Sequence, residues 1–439
     1  MEEFLNILHQ VDRSADFCYF TDEKAFFPGI KLKALDEELA LPLSKSQAKA
    51  LIDVAHQAPY GKGHETLIDT TVRSCWEINE QDLLFNEPSW DKMLERVLRK
   101  AETYFDMDKK SLQAELYKLL IYEEGGFFLP HQDSEKIDGM LATLVICLPS
   151  KHEGGELLVS HGGDQFTFDS SASSGLRNFQ AAIFYADCQH ELKPVLSGHR
   201  LCLTYNVRMK RTAVQKGLAT GTQEHVQALS AELERWRKSK DRSTKLVVAL
   251  NHQYSEENFY YEGLKGLDRS QADVLLRAAD EAGLNAYLCL IDRYECYEAY
   301  DNDDSYYHRY SDDVHDTDLE IGSLVDEHLH LSSLQDRQDK TLSTSVALER
   351  SEIINLDEFD KEKALEDDYE GYTGNAGCTM SYWYRYAAVV FWDSNDEFKL
   401  LVEGDLNAAV AQVHAESLSV ENKKECQTHL KDILKYFDS

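Results

Sequence analysis

From Glu115 to Val207 the apolar residues of this chain recur with a period of two. The runs ELYKLLIY, MLATLVICL, GELLVSHG, DQFTFD, QAAIFYAD and HRLCLTYNVRM are short, and turns rich in Gly, Ser, Pro and Asp separate them. Successive residues of a strand face opposite ways, so each run can offer one face to a core. Several such strands at close spacing predict an all-β sandwich or barrel. A helical bundle is excluded for this stretch, and any chemistry the chain performs is expected here.

The flanks read differently. Ser44 followed by Gln47 has the spacing of a capping box, and KSQAKALIDVAHQA keeps Ala48, Leu51, Ile52 and Ala55 on one face before Pro59. A glycine-rich loop and an alternating segment, PYGKGHETLIDTTVRSCWEI, come next. A second helix is expected from about Ser89, with Trp90, Met93, Leu94, Val97, Leu98 and Ala101 as its stripe. Beyond Lys210 a helix is predicted over residues 223–238, where Val226, Leu229, Leu233 and Trp236 share a face. A strand (KLVVALNHQY), a helix (RSQADVLLRAADEAG, with Gly283 as its C-cap) and a strand (AYLCLID) predict a β-α-β unit, hence a separate α/β or α+β layer. The acidic stretches 293–318 and 356–370 read as loops, Gly374 and Gly377 around Asn375 as a turn feeding a buried strand (SYWYRYAAVVFWD), and 404–417 and 421–437 as helices. A chain of 439 residues exceeds what one core usually serves, and three segments are expected, 1–110, 111–212 and 213–439.

Charge narrows the partners. With 46 basic against 79 acidic residues the net charge is −33, a field that repels polyphosphate and disfavours nucleic acid as a simple electrostatic partner. A basic protein or peptide suits it better. Nine cysteines are scattered without a C-x-x-C pair and read as reduced thiols. The N-terminus lacks the pattern of a signal peptide, and no apolar run approaches the ~18 residues of a spanning helix. A soluble, intracellular, cytoplasmic protein without a membrane partner is the expectation; oligomeric state leaves no mark in the sequence.

Within the β region the segment FFLPHQDSEK puts His131 and Asp133 on one side of an extended chain, as a metal requires. Alone the tripeptide fits two exposed polar residues equally well. Two histidines and a carboxylate on one face of an octahedron are the usual holders of iron in oxygenases, so a distant third ligand is needed. His190 is the best candidate, at the end of a predicted inner strand in FYADCQHELKPVLSGHRLCLTYNV, with Arg200 ten residues later at the start of the next. An arginine there can grip a carboxylate through two parallel hydrogen bonds.

These residues resemble the Fe(II)- and 2-oxoglutarate-dependent dioxygenases, in their prolyl-4-hydroxylase-like branch. YKLLIYEEGGFFLPHQDSEK, EGGELLVSHGG and YADCQHELKPVLSGHRLCLTYNV look like that family's H-x-D strand, central glycine hairpin and ending, over roughly residues 112–210. The resemblance implies an α+β chain whose catalytic core is a double-stranded β-helix (jelly roll), flanked by N-terminal helices and a C-terminal α/β accessory domain. It implies His131, Asp133 and His190 as catalytic ligands of Fe(II), Arg200 on the distal carboxylate of 2-oxoglutarate, and Tyr122 as a hydrogen-bond donor to that cosubstrate. Phe128 stands where many relatives carry a second tyrosine. The resemblance further implies dioxygen as the oxidant, with ascorbate as an accessory reductant, and decarboxylation of 2-oxoglutarate to succinate and carbon dioxide coupled to hydroxylation of the substrate. A protein or peptide side chain, proline first, is the leading substrate class. The same chemistry on a small molecule or nucleobase, a non-catalytic iron- and 2-oxoglutarate-binding module, and a zinc hydrolase are the competing readings.

Other residues read more plainly. His152 and His161 flank the glycine hairpin and are expected to be solvated rather than ligands, and His199 should face away from Arg200. Arg73 and Thr66, in a segment that resembles one found in longer members of the branch, are candidate substrate contacts, against a plain turn and edge strand. YTGNAGCTMSYWYRYAAVVFW resembles a C-terminal segment of those longer members, which implies that the region after residue 220 belongs with the catalytic module. DNDDSYYHRYSDD lacks the glycine and closing glutamate of a calcium loop. Tyr294, Tyr297, Tyr300, Tyr306, Tyr307 and Tyr310 read as a solvated loop before they read as interface anchors.

Overall fold

The alternating stretch folds into two antiparallel sheets. The computed structural model describes residues 1–11, 16–35, 38–62, 65–85, 88–107, 109, 111–133, 136–171, 176–210, 223–301, 319–337, 341–342, 346–356, 364, 366–370, 378–404, 406–417 and 423–438. The chain divides into two compact units, Arg13–Leu218 with Lys265–Leu267, and Met1–Asp12 with Ala219–Leu264 and Asp268–Ser439. The N-terminal region shares a unit with the β strands, and the first twelve residues go with the C-terminal half.

In the Arg13–Leu218 unit the larger sheet has seven strands in the order Cys18–Lys24, Asn178–Tyr185, Met140–Leu148, Arg200–Met209, Leu112–Tyr122, Trp76–Asn79 and His56–Gln57. The smaller has five, Asp164–Phe168, Leu157–His161, Gln189–Leu192, Phe127–His131 and Arg73–Ser74, and the short strands His152–Gly154 and Val195–Gly198 pair beside them. This is a jelly-roll arrangement. All nine residues of Met140–Leu148 are buried, as a strand covered on both faces demands.

The helices form where their caps and stripes place them. Gln47 N–H donates to Ser44 Oγ at 3.3 Å, opening the helix Lys45–Val54, which buries Ala48 and Leu51. Its end falls at Val54, short of Pro59, because Ala55 is already extended. The helix Ser89–Tyr104 buries Trp90, Met93, Val97, Leu98 and Ala101 in the unit's main core, each large side chain contributing about 1.5–3 kcal/mol by leaving water. Trp90 Nε1–H donates to the Tyr205 hydroxyl at 2.9 Å, so the one polar atom of that indole is satisfied.

The second unit carries a sheet in the order Lys245–Ala249, Thr379–Trp392, Asn285–Asp301, Leu319–Gln335 and Thr341–Leu342, with Val346–Ala347 and Glu366–Glu370 paired at its sides. Its ladders are antiparallel. The expected β-α-β unit is therefore split: Lys245–Ala249 and Asn285–Asp301 flank Thr379–Trp392 instead of touching, which makes the layer α+β. The helices Gln223–Lys238 and Gly266–Ala282, with Phe4 and Leu8 of the helix Glu2–His9, share a core with one face of the sheet. Gly283 sits at φ +66°, closing Gly266–Ala282 as a C-cap glycine does.

Two loop expectations change. Residues 293–301 continue the strand Asn285–Asp301, because Arg293 and Glu295 turn inward together and neutralise each other. Residues 366–370 form an edge strand against Thr379–Trp392. Residues 302–318, with Tyr306, Tyr307 and Tyr310, and the turn 374–377 lie outside the described residues. The tail forms three helices, Glu397–Gly404, Leu406–Ser417 and Lys423–Asp438. The eight cysteines whose side chains are described are free thiols. Among the described residues no helix is long and apolar enough to cross a membrane.

Candidate active site

Pairing register assembles the metal-ligating residues. His131 ends Phe127–His131 and lies directly opposite His190 in Gln189–Leu192; Asp133 follows two residues on. Ligand atoms of the three lie within 4.8 Å of one another, with His190 Nε2 3.6 Å from Asp133 Oδ2. The imidazole centroids are 4.2 Å apart.

Both histidines are held in the same way. His131 Nδ1 lies 2.8 Å from the Leu129 carbonyl oxygen and His190 Nδ1 3.1 Å from that of Cys188. A carbonyl only accepts, so each proton sits on Nδ1 and each Nε2 keeps a free lone pair for a metal. Asp133 Oδ2 accepts from Thr143 Oγ1 at 2.5 Å. Burial, then the neighbouring His190, pushes His131 down to about 3. Burial alone would raise Asp133, but the two histidines and the Thr143 bond hold it below the ordinary carboxylate range. A neutral pair of imidazoles and an ionised carboxylate are the forms that bind a metal. Phe128 stacks on His131 at 3.5 Å between centroids, Phe184 lies 4.7 Å from His190, and both shield the cluster from water.

Arg200 opens the strand Arg200–Met209 directly opposite Tyr122. It is 2% exposed, yet no carboxylate among the described residues pairs with it. Nε–H donates to Ser170 Oγ at 3.3 Å, Nη1 lies 3.4 Å from Cys202 Sγ, and Nη2 has no hydrogen-bond partner. A buried, uncompensated guanidinium costs several kcal/mol unless an anion joins it. Gly155 makes room for the side chain: at φ +72°, its Cβ would stand 3.1 Å from Arg200 Cδ. The guanidinium lies 5.7 Å from the Tyr122 ring. Burial, then the Cys75 thiol, raises the Tyr122 phenol well above its ordinary value, so it stays a donor. Arg73 also faces the Tyr122 phenol; its Nη1 donates to Pro59 O at 2.5 Å, and its guanidinium lies 4.6 Å from the Phe128 ring.

His152, expected in solvent, is 5% exposed and hydrogen-bonded to Ser170, so a place in a short strand beside glycines misleads here. Ser170 escaped notice altogether, standing in a serine-rich stretch that reads as loop. His161 stands 3.9 Å from Asp187 Oδ2 with its ring 5.7 Å from Phe17. His199 is half-buried beside the buried Arg200. The side chain of Thr66 lies outside what is described.

Residues 117–208 match the family model of the 2OG-Fe(II) oxygenase superfamily. No curated protein matches the chain. Similar solved structures include a prolyl-4-hydroxylase from Pseudomonas putida, 16% identical over 47% of this chain and 98% of that one, with TM-score 0.30. An oxidoreductase of the 2OG-Fe(II) oxygenase family from Burkholderia pseudomallei is 16% identical over 39% and 81%, with TM-score 0.24. A prolyl hydroxylase from Trichoplax adhaerens, in complex with a hypoxia inducible factor peptide fragment, is 13% identical over 47% and 87%, with TM-score 0.26. The stretch that matches this superfamily model, residues 117–208, contains the H-x-D strand, the glycine hairpin and Arg200.

Proposed function

We propose that this protein is an Fe(II)- and 2-oxoglutarate-dependent hydroxylase acting on a protein or peptide side chain, with proline first among the targets. The observation that carries it is the pairing of a His131, Asp133 and His190 cluster with a fully buried arginine whose Nη2 has no partner. The donor set fits iron, being two imidazoles and a carboxylate. Arg200 fits the far end of a dicarboxylate.

In this reading His131, Asp133 and His190 hold the metal, Thr143 fixes the carboxylate, and the Leu129 and Cys188 carbonyls fix the rings. Iron, when bound, supplies the dioxygen chemistry that couples decarboxylation of 2-oxoglutarate to hydroxylation. Arg200 takes the distal carboxylate and the protonated Tyr122 donates to the same molecule, orienting it before any bond breaks. Phe128 and Phe184 keep water from the ligand rings. The excess of acidic over basic residues favours a basic peptide as substrate. A hydrolase using the same three ligands would leave Arg200 without a purpose.

Protein loaded with iron without oxygen, then given oxygen, ascorbate and labelled 2-oxoglutarate, should release labelled succinate, and His131→Ala should abolish it. Absence of succinate from protein that demonstrably holds iron would reject the reading. Mass spectrometry for a gain of one oxygen on peptides, against free metabolites and nucleobases, separates the substrate classes.

A further inference from the structure

Arg200 is steered by residues to which the mechanism above gives no part. Its Nε–H donates to Ser170 Oγ at 3.3 Å, and Ser170 Oγ lies 3.2 Å from His152 Nε2. The other ring nitrogen of His152, Nδ1, lies 3.0 Å from the Ser150 carbonyl oxygen. That carbonyl can only accept, so Nδ1 carries the proton and Nε2 is an acceptor. The single hydroxyl proton of Ser170 is then aimed at Nε2, and an oxygen lone pair is left for Arg200. Ser170 is 3% and His152 5% exposed, which leaves water little access to compete for either.

Glycine builds this relay into the backbone. His152 pairs with Gly198, which sits at φ +80°; a Cβ there would stand 2.1 Å from Lys151 O and 2.9 Å from the Cα of His152. Gly155, at φ +72°, would bring a Cβ to 3.0 Å from Val195 and 3.1 Å from Arg200. Only residues without side chains let the short sheet close up on the arginine.

We infer that His152, acting through Ser170, is a positioning residue that holds the Arg200 guanidinium ready for the distal carboxylate of the cosubstrate. The inference rests on the 2-oxoglutarate reading of the site. Its ligand class is a short dicarboxylic acid, and the relay leaves Nη2 as the open donor. Without the relay the guanidinium keeps its charge and loses its aim, so binding should suffer more than chemistry at saturation.

The test uses the full chain loaded with manganese(II), which binds 2-oxoglutarate without turnover, titrated by calorimetry, and the iron form for uncoupled 2-oxoglutarate turnover. Ser170→Ala and His152→Leu should each raise the Kd for 2-oxoglutarate roughly tenfold or more, the scale of one lost hydrogen bond to a charged group. KM should rise in step while kcat at saturation and manganese affinity hold. His152→Gln, whose amide can accept from Ser170 and donate to Ser150, should bind within about threefold of the unchanged protein. Wild-type affinity in Ser170→Ala, or weakening in His152→Gln equal to that in His152→Leu, would overturn the relay. If His152→Leu fails to fold, Ser170→Ala against His152→Gln decides alone. Failure of the unchanged protein to bind 2-oxoglutarate would instead overturn the cosubstrate reading, and the relay with it.

Discussion

Replacing Arg200 by methionine should leave the ligand-free protein as stable as before or more so, while removing its response to 2-oxoglutarate. Among the described residues Arg200 is the largest of the fully buried side chains, and it is uncompensated by any described carboxylate. An unpartnered buried donor costs about 1–3 kcal/mol, and an unpaired buried charge costs several. Methionine keeps most of the stem's packing and has no donors to satisfy. What is lost is the bond to Ser170 at 3.3 Å, about 1.5 kcal/mol for a charged donor, and a weaker contact with the poorly accepting Cys202 sulfur at 3.4 Å. The balance favours the variant by about 1–3 kcal/mol, and each kcal/mol moves a unit of this size by about 2–4 °C. Added ligand reverses the order: at a hundredfold excess over Kd the unchanged protein gains about 2.7 kcal/mol and Arg200→Met gains nothing. Scanning calorimetry of the metal-loaded full chain, with and without 2-oxoglutarate, reads both. A ligand-free Arg200→Met transition several degrees lower would refute the reasoning, because the guanidinium would then be satisfied within the protein and not waiting for an anion.

Three further outcomes are expected. Thr143→Val removes the donor to Asp133 Oδ2 and should weaken iron or manganese binding by roughly 10- to 100-fold, read by competition with a metallochromic chelator. Gly155→Ala forces a side chain into a left-handed position with contacts at 3.0 and 3.1 Å; denaturant titration should show a loss of about 1–3 kcal/mol. Burial, and then the nearby Arg200 charge, lowers the His152 pKa below its ordinary 6.5. The unfolded chain therefore takes up a proton there first, so the contribution is full above about pH 6.5 and declines as pH falls below it. His152→Gln should flatten the acid side of a plot of stability against pH; an unaltered slope would contradict the buried, neutral assignment.

What could be read in the sequence was what local pattern controls. The run Met140–Leu148 and the helix Gln223–Lys238 show their bounds in periodicity alone, and Ser44 announces its helix by a cap formed three residues away. The meeting of His131, Asp133 and His190 was legible because strands present alternate residues to one side and a hairpin-like return brings a distant histidine opposite. Features set by distant partners were not. The strand Thr379–Trp392 enters between two strands more than a hundred residues earlier in part, and no window of sequence shows that insertion. Residues 293–301 look like an acidic loop until Arg293 is placed against Glu295 and Glu327. His152 owes its burial to Ser170 and to the close approach allowed by Gly198, neither of which marks it locally.

Both ligand imidazoles are oriented by peptide oxygens of their own chain segments, at Leu129 and Cys188. Their aim is therefore inherited from main-chain geometry, and changes to neighbouring side chains can reshape the surrounding wall without swinging either ring. The carboxylate enjoys no such insulation. Among the described residues it leans on one hydroxyl, so a drifting sequence would detune the centre first at position 143, long before either imidazole felt it.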